Sequence, residues 1–529
     1  MGLPGATKSK ELLKFIFPSK GLNTTVPSLV LDKTYVTSVT GIRFARGEIS
    51  SAGALGTKGL RPLTAMSGAF TQHRADGTIL TFAAQTDLFL VYDPTNNTWV
   101  PSDPGYTGFT TNTGLDENIW SFTDVFGDVY MSNGVGSLVW TGDGGSSYTH
   151  LDQPPTNLPY SARYLATYAG RLILANVREE GVQHEERVRW SVAQSPRDFT
   201  SDGSAGANDL VDISGPITGV IVQAGRCFLH KRLGITVMIE TGLSIPSFAF
   251  QTVVDGTGTV AGATLKNIQS FQFFLASDGV YAYDGASPPV LLSESINKTL
   301  LDEMNWAKVG NSFAIEYPDF HEYHLFVPIG TEQWPTKSYI FNYQDKTWSS
   351  RTFTIPITSA AMFQIAPVSD TWDGGLDNTW DAGSDSARDV WDAPAEVPHL
   401  VPFLGGHEGE TFFFDEAASA LGETVSMQTA DWDLNKPGML KTVDRIRLTV
   451  RQRNAGTINV KISVNGGATW NSPTPITIPA PVGDENSIVT LFVPVDRITG
   501  EFFRLFLSSV NRFSLVSWEL ETITREEVR

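Results

Sequence analysis

Apolar and polar residues alternate in short runs along most of the chain, and the runs stop at Gly, Asp or Asn. A period of two predicts short antiparallel strands joined by tight turns. Between Leu63 and Met362 the pattern restarts roughly every 35 to 50 residues, which points to the blades of a β-propeller. Three strand openings read almost alike, Pro62-Leu63-Thr64-Ala65-Met66, Pro216-Ile217-Thr218-Gly219-Val220 and Pro356-Ile357-Thr358-Ser359-Ala360. Two closings run an apolar strand through a polar turn into Thr-Trp, Val91-Tyr92-Asp93 to Thr98-Trp99 and Ile340-Phe341-Asn342 to Thr347-Trp348. A third, Val280 to Tyr283, meets an Asp284-Gly285 turn.

The units fall approximately at Leu63 to Pro104, Glu117 to Gln153, Ala162 to Ser201, Leu210 to Gly258, Val260 to Glu303 and Trp306 to Pro356. The expectation is an all-β chain whose propeller has about six or seven blades, the last closing if Ile357 to Asp415 completes the ring. Leu3 to Gly59 shows no clean repeat and reads as an arm with a few strands. From about Gly422 the strands lengthen. Ile446, Leu448 and Val450 alternate with Arg445, Arg447, Thr449 and Arg451, and Ile458 to Val464 alternates up to an Asn465-Gly466-Gly467 turn. With Ser487 to Val493 and Phe502 to Leu507, this predicts an additional C-terminal β-sandwich of about 100 residues. The expected domains are an N-terminal arm and strands over 1–60, a propeller over 61–421 and the sandwich over 422–529. Helix is expected to be minor, its best candidate being Ser295 to Trp306, where Ile296, Leu300, Leu301 and Met304 recur at helical spacing.

Composition suits this picture. Gly (48) and Pro (29) are plentiful in a chain of 529 residues, and the mean hydropathy of −0.09 is a globular value. No stretch approaches the roughly 18 apolar residues of a membrane helix, and Met1 to Lys20 lacks the apolar core and small-residue cleavage site of a signal peptide. Assembly in the cytoplasm is the expectation. The net charge of −19 argues against general nucleic-acid binding, which rests on Lys and Arg, although an acidic wall would suit a conduit past which DNA slides.

Candidate chemistry is sparse. Cys227 is the single cysteine, which excludes an internal disulfide, and its strand-like setting reads as a buried structural thiol. His321 and His324 of His321-Glu322-Tyr323-His324 would point to opposite faces of a strand, so a metal pair is not expected there. His407-Glu408-Gly409-Glu410 is a turn-like acidic cluster without a third ligand nearby, and Asp255-Gly256-Thr257-Gly258-Thr259 reads as a turn. No catalytic, cofactor or metal residues are assigned. Paired acids from different blades, as in propeller glycosidases, remain open on sequence alone. The 13 tryptophans read mainly as packing between blades. Two surface features stand out. One is the set of arginines Arg445, Arg447 and Arg451, expected on the exposed face of their strand as a subunit or adaptor interface. The other is a Trp-Asp repeat whose acids Asp370, Asp373, Asp377, Asp381, Asp385, Asp389 and Asp392 are opposed by Arg388 alone. This stretch cannot build a core by itself and is expected as an exposed loop inserted in the last blade, lacking the 12-residue calcium-loop pattern.

Several strings together resemble the tail nozzle proteins (tail hub or tail tubular proteins) of short-tailed bacteriophages. They are Lys20-Gly21-Leu22-Asn23, Gly170-Arg171-Leu172-Ile173-Leu174-Ala175, Arg187-Val188-Arg189-Trp190-Ser191, Ser195-Pro196-Arg197-Asp198-Phe199, Gly256-Thr257-Gly258-Thr259-Val260 and Leu275-Ala276-Ser277-Asp278-Gly279-Val280-Tyr281. The Trp-Asp repeats and the hairpin ending at Thr469-Trp470 add to the likeness. The resemblance implies a structural, non-enzymatic virion protein of the viral tail. It would be a homo-hexameric ring that docks on the portal-adaptor (head-to-tail connector) ring, meets tail fibre, tail spike or tail needle proteins, retains packaged double-stranded DNA and passes it at genome ejection, with no membrane insertion and no cofactor. The alternatives are a propeller enzyme that degrades polysaccharide and a carbohydrate-binding tail adhesin.

Overall fold

Seven antiparallel sheets of four strands follow one another along the chain at 68–101, 121–150, 159–209, 217–255, 266–291, 313–352 and 357–415. The computed structural model describes all residues except 1–10, 15–17, 58–63, 86–87, 94–95, 102–117, 137, 142–147, 151–158, 180, 201–203, 244, 366–398, 417, 436, 453–454, 481–486 and 526–529. The protein is a β-propeller with seven such blades, in which the first strand of each blade packs beside the first strand of the next. The seventh blade takes three strands from its own stretch, Ile357–Ile365, His399–Gly406 and Thr411–Asp415. Its outer strand is Ala54–Thr57, which pairs antiparallel with Thr411–Asp415 and closes the ring.

The period of two explains how the blades stack. A middle strand is covered on both faces, so it reads as a nearly continuous apolar run whose alternate residues go to different neighbours. In Arg171–Glu179, Leu172 and Leu174 pack toward the second blade and Ile173 and Ala175 toward the fourth, all fully buried. In the next blade Cys227 and Leu229 turn back to the third blade, while Phe228 turns forward to Phe274 and Tyr283 of the fifth. Each large apolar side chain so buried contributes about 1.5–3 kcal/mol. Tryptophans fill the same gaps: Trp99 lies 5.1 Å from Phe403 across the seventh and first blades, and Trp190 lies 5.3 Å from Phe248 across the third and fourth. Burial pushes the Cys227 thiol up to about 12, the state of an inert core group.

Among the described glycines, an added Cβ would meet the main chain at the shortest distance at Gly258. A Cβ there would lie 1.9 Å from the Lys231 carbonyl and 2.7 Å from that of Gly234. We expect Gly258→Ala to lower the unfolding free energy by about 3 kcal/mol, because main chain and not a pliable side chain must move. Gly310→Ala, whose Cβ would meet nothing within 4 Å, is the control in the same urea titration.

The remaining strands form two further sheets. One holds Ile42–Ala45, Glu48–Ser51, Ser514–Arg525, Leu440–Arg451 and Ile488–Gly500, with Glu11–Lys14 beside Ser514–Arg525. The other holds Val36–Thr40, Ala420–Thr429, Arg504–Asn511, Gly456–Ser463 and Thr474–Ile478. Their buried faces meet in one core that includes Ile446, Leu448, Val450 and Trp518 from the first sheet and Val425, Val460 and Leu507 from the second. Strands from both sides of the propeller in sequence therefore build this unit together. The short helix Asn297–Glu303 lies inside the expected helical stretch and buries Leu300. Among the described residues no helix is long and apolar enough to cross a membrane.

Candidate functional site

The propeller and the two-sheet unit meet along the outer strand of the sixth blade, Thr347–Thr352. An exposed strand edge offers unpaired backbone groups, and here the segment 21–45 covers it. Leu22 donates its N–H to the Trp348 carbonyl at 2.7 Å, Gly41 to that of Ser350 at 2.8 Å, and the hydroxyls of Thr347 and Ser350 donate to the carbonyls of Phe44 and Val39 at 2.9 and 2.6 Å.

Beneath this seam lies a cluster of buried charges. Arg43, 5% exposed, donates from Nε to Glu322 Oε1 at 2.8 Å and from Nη1 to Glu416 Oε1 at 2.7 Å. Its guanidinium is 3.9 Å from the centre of the Phe320 ring. Glu322 Oε2 is 2.9 Å from His324 Nε2. Arg351 reaches Glu423 at 2.6 Å and lies over the Phe414 ring. Arg512 approaches Glu416 at 3.7 Å. A Cβ on Gly53 would lie 2.8 Å from the Glu416 carboxyl group, so a glycine there leaves that carboxylate its place.

Electrostatics follow from burial and pairing together. Burial alone would raise the Glu322 carboxyl, but the Arg43 charge and the His324 hydrogen bond hold it down to about 2. Burial lowers His324, only partly offset by Glu322, so the imidazole is neutral and donates from Nε2. Burial opposes the charge on Arg43 as well, yet its two carboxylates raise it well above the ordinary arginine range. Glu322 is thus held charged and His324 neutral, each fixed by its neighbours.

Above the cluster a cleft of about 330 Å³ opens between the sixth blade and the two-sheet unit. Asp319, Asp345, Arg46 and His321 line its rim, and Arg43 and Phe320 its floor. His321 and His324 thus serve different places, one at the cleft and one in the core, and Glu322 rather than a metal joins His324 to its surroundings. Among the described residues no group of three or more His, Cys, Asp or Glu side chains is placed to hold a metal ion.

The arginine stripe lies on the face of Leu440–Arg451 opposite the buried Ile446, Leu448 and Val450. Arg447 bonds Glu521 at 2.9 Å and approaches Glu519 at 3.9 Å, and Arg451 pairs with Glu48, so both are engaged within their own sheet. Arg445 remains exposed, its guanidinium 5.5 Å from the Phe492 ring centre. The seven aspartates from Asp370 to Asp392 lie outside the described residues. His407 and Glu408 occupy the turn between His399–Gly406 and Thr411–Asp415, with the His407 ring 5.4 Å from that of Trp334 and tilted by 38° to it.

Arg43, Glu322 and Glu416 were not singled out by the sequence pattern. Their partners are 279 and 373 residues apart. One local sign exists, a charged residue between two large apolar ones in the strand Ile42-Arg43-Phe44, which buries all three.

No family model and no curated protein matches the sequence. Among solved structures the chain is similar to YCF48 bound to D1 peptide, at 11% identity and a TM-score of 0.39 over 74% of this chain and 99% of that one. It is similar also to YCF48 from Cyanidioschyzon merolae, at 11% identity and a TM-score of 0.38 over 68% and 98%. The likeness is one of fold. These neighbours are not tail nozzle proteins, and the expectation of a virion tail ring is corrected accordingly, together with its hexamer, portal-adaptor, fibre, spike, needle and DNA partners. The strings that suggested it have local work in the propeller. Arg171 donates to the carbonyls of Ser191 and Ser204 at 2.8 and 2.6 Å, Arg187 and Arg189 share Glu179 at 2.9 Å each, and Arg197 lies 4.1 Å over the Trp140 ring of the preceding blade. Such residues specify a blade and its neighbour, not the use of the disc.

Proposed function

We propose that this chain is a non-enzymatic scaffold: a propeller and a two-sheet unit fastened into one body that acts by presenting surfaces. The observation that carries this reading is that Arg43, at the floor of the cleft, is tied up by Glu322 and Glu416 beneath it, with His324 bonded to Glu322 in turn. A glycosidase needs two carboxyl groups about 5 to 9.5 Å apart across an open cleft, one of them free to give up a proton. Here the two acids beneath the cleft share an arginine, and the buried one, Glu322, is held in the charged form.

The expected result is that the purified full chain, incubated with bacterial capsular and cell-wall polysaccharides, releases no reducing ends. Turnover that disappears when Asp319 and Asp345, the acids of the cleft rim, are both changed to Asn would overturn the scaffold reading.

A further inference from the structure

The second cavity of interest lies in the middle of the disc and is independent of the cleft and of the scaffold reading. The first strands of consecutive blades surround it: Ser121 and Phe122 come from the second blade, Arg163 and Tyr164 from the third, Val220 from the fourth and Lys266 from the fifth. Its volume is about 230 Å³.

The wall is chemically biased. In a chain with 57 acidic and 38 basic residues, its described lining has two cationic side chains and no acidic one. Neither Arg163 nor Lys266 forms an ion pair with a described carboxylate; Arg163 reaches the Tyr164 hydroxyl, whose titration burial raises. The acid closest to Lys266 in its effect is Glu316 on the first strand of the sixth blade, and that carboxylate is already bonded by the Tyr343 hydroxyl at 3.1 Å. Burial lowers the Lys266 ammonium, countered only in part by Glu316. Lys266, half-buried, is under-solvated, so an arriving anion recovers that loss, while Arg163, which is exposed, adds a second counter-ion. Phe122 and Val220 add an apolar wall that suits carbon atoms beside the charge.

We propose that this axial cavity binds a carboxylate carried on a short aliphatic stem, with Arg163 and Lys266 as its two counter-ions and Tyr164 and Ser121 as hydroxyl partners. The shared chemistry belongs equally to a small free dicarboxylic acid and to an Asp or Glu side chain of another polypeptide.

Calorimetry on the full chain with succinate, N-acetylglutamate amide and inorganic phosphate separates these sources. Saturable binding of either carboxylate is expected, with phosphate about tenfold weaker or more. Binding of succinate alone assigns the site to a free acid, and binding of the glutamate amide alone to a protein side chain. Arg163→Gln and Lys266→Met should each weaken the bound carboxylate about tenfold or more while leaving the thermal midpoint in place, since each removes one charge-assisted contact. The proposal is overturned if neither carboxylate gives saturable heat, if phosphate binds as tightly, or if both variants bind as the parent does.

Discussion

Replacing Arg43 by alanine is expected to lower the unfolding free energy by about 3–5 kcal/mol near neutral pH, the cost of breaking a buried ion pair from one side. The substitution would leave Glu322, 2% exposed, with only a neutral imidazole beside it, and Glu416 with only Arg512 at 3.7 Å. Two carboxylates then lose their common counter-ion inside a low-dielectric seam. Changing Arg43 and Glu322 together to methionine should recover a substantial part of the loss, because Glu322 no longer leaves a buried charge and Glu416 keeps Arg512 at 3.7 Å. Urea unfolding of the parent, the single and the double variants measures both effects. A single-variant loss below about 1 kcal/mol would show that water reaches the seam and screens the charges.

The second large effect is acid lability. His230 is fully buried, with Nε2 2.9 Å from Gln272 Oε1 and its ring edge-on to Phe274, and burial holds it down to about 4. Its unfolded form takes up a proton as the pH drops below about 6.5, whereas the folded form resists until about 4. The unfolded state therefore binds more protons across that window, and stability falls on acidification by about 3 kcal/mol from this one group. His324 is lowered too and adds in the same direction. Glu322 acts in a lower window: its folded carboxyl is depressed to about 2, so its contribution is present above about 4.5 and is lost as the pH falls toward 2. Denaturation midpoints recorded from about pH 7 to about pH 4 should decline steadily, and His230→Gln should flatten part of that decline. An unchanged slope in the variant would mean that His230 charges as readily folded as unfolded.

Much of the fold was legible because each blade repeats a local rule. Alternation set the strands, the Thr-Trp closings marked blade edges, and fully apolar runs such as Leu172 to Ala175 marked strands covered on both faces. The expected seventh unit, Ile357 to Asp415, does form a blade. The strand that finishes it, Ala54–Thr57, was not legible, because nothing in four short residues names a partner more than 350 positions away. The same holds for Val36–Thr40 and Ile42–Ala45, which join sheets built mainly from residues beyond 420. The charge cluster was hidden for a related reason: Arg43, Glu322 and Glu416 lie on three separate elements that only tertiary pairing brings together. The functional reading of the resemblance was corrected for a different reason. Most of its strings serve packing within and between blades, and packing of that kind does not say what a propeller is used for.

The closure of the ring by Ala54–Thr57 has a bearing on how the chain is made. During synthesis that strand emerges long before Thr411–Asp415, and at roughly 5–20 residues per second the interval is on the order of tens of seconds. The nascent propeller must wait as an open crescent with bare edges at both ends. The hairpin of Ile42–Ala45 and Glu48–Ser51 waits still longer for Ser514–Arg525, the partner of its second strand. The ribosome-bound stage is thus the time at which this protein is most exposed to wrong pairing, and sequestration of residues 36–57 during translation would do more for its yield than any gain in the stability of the finished disc.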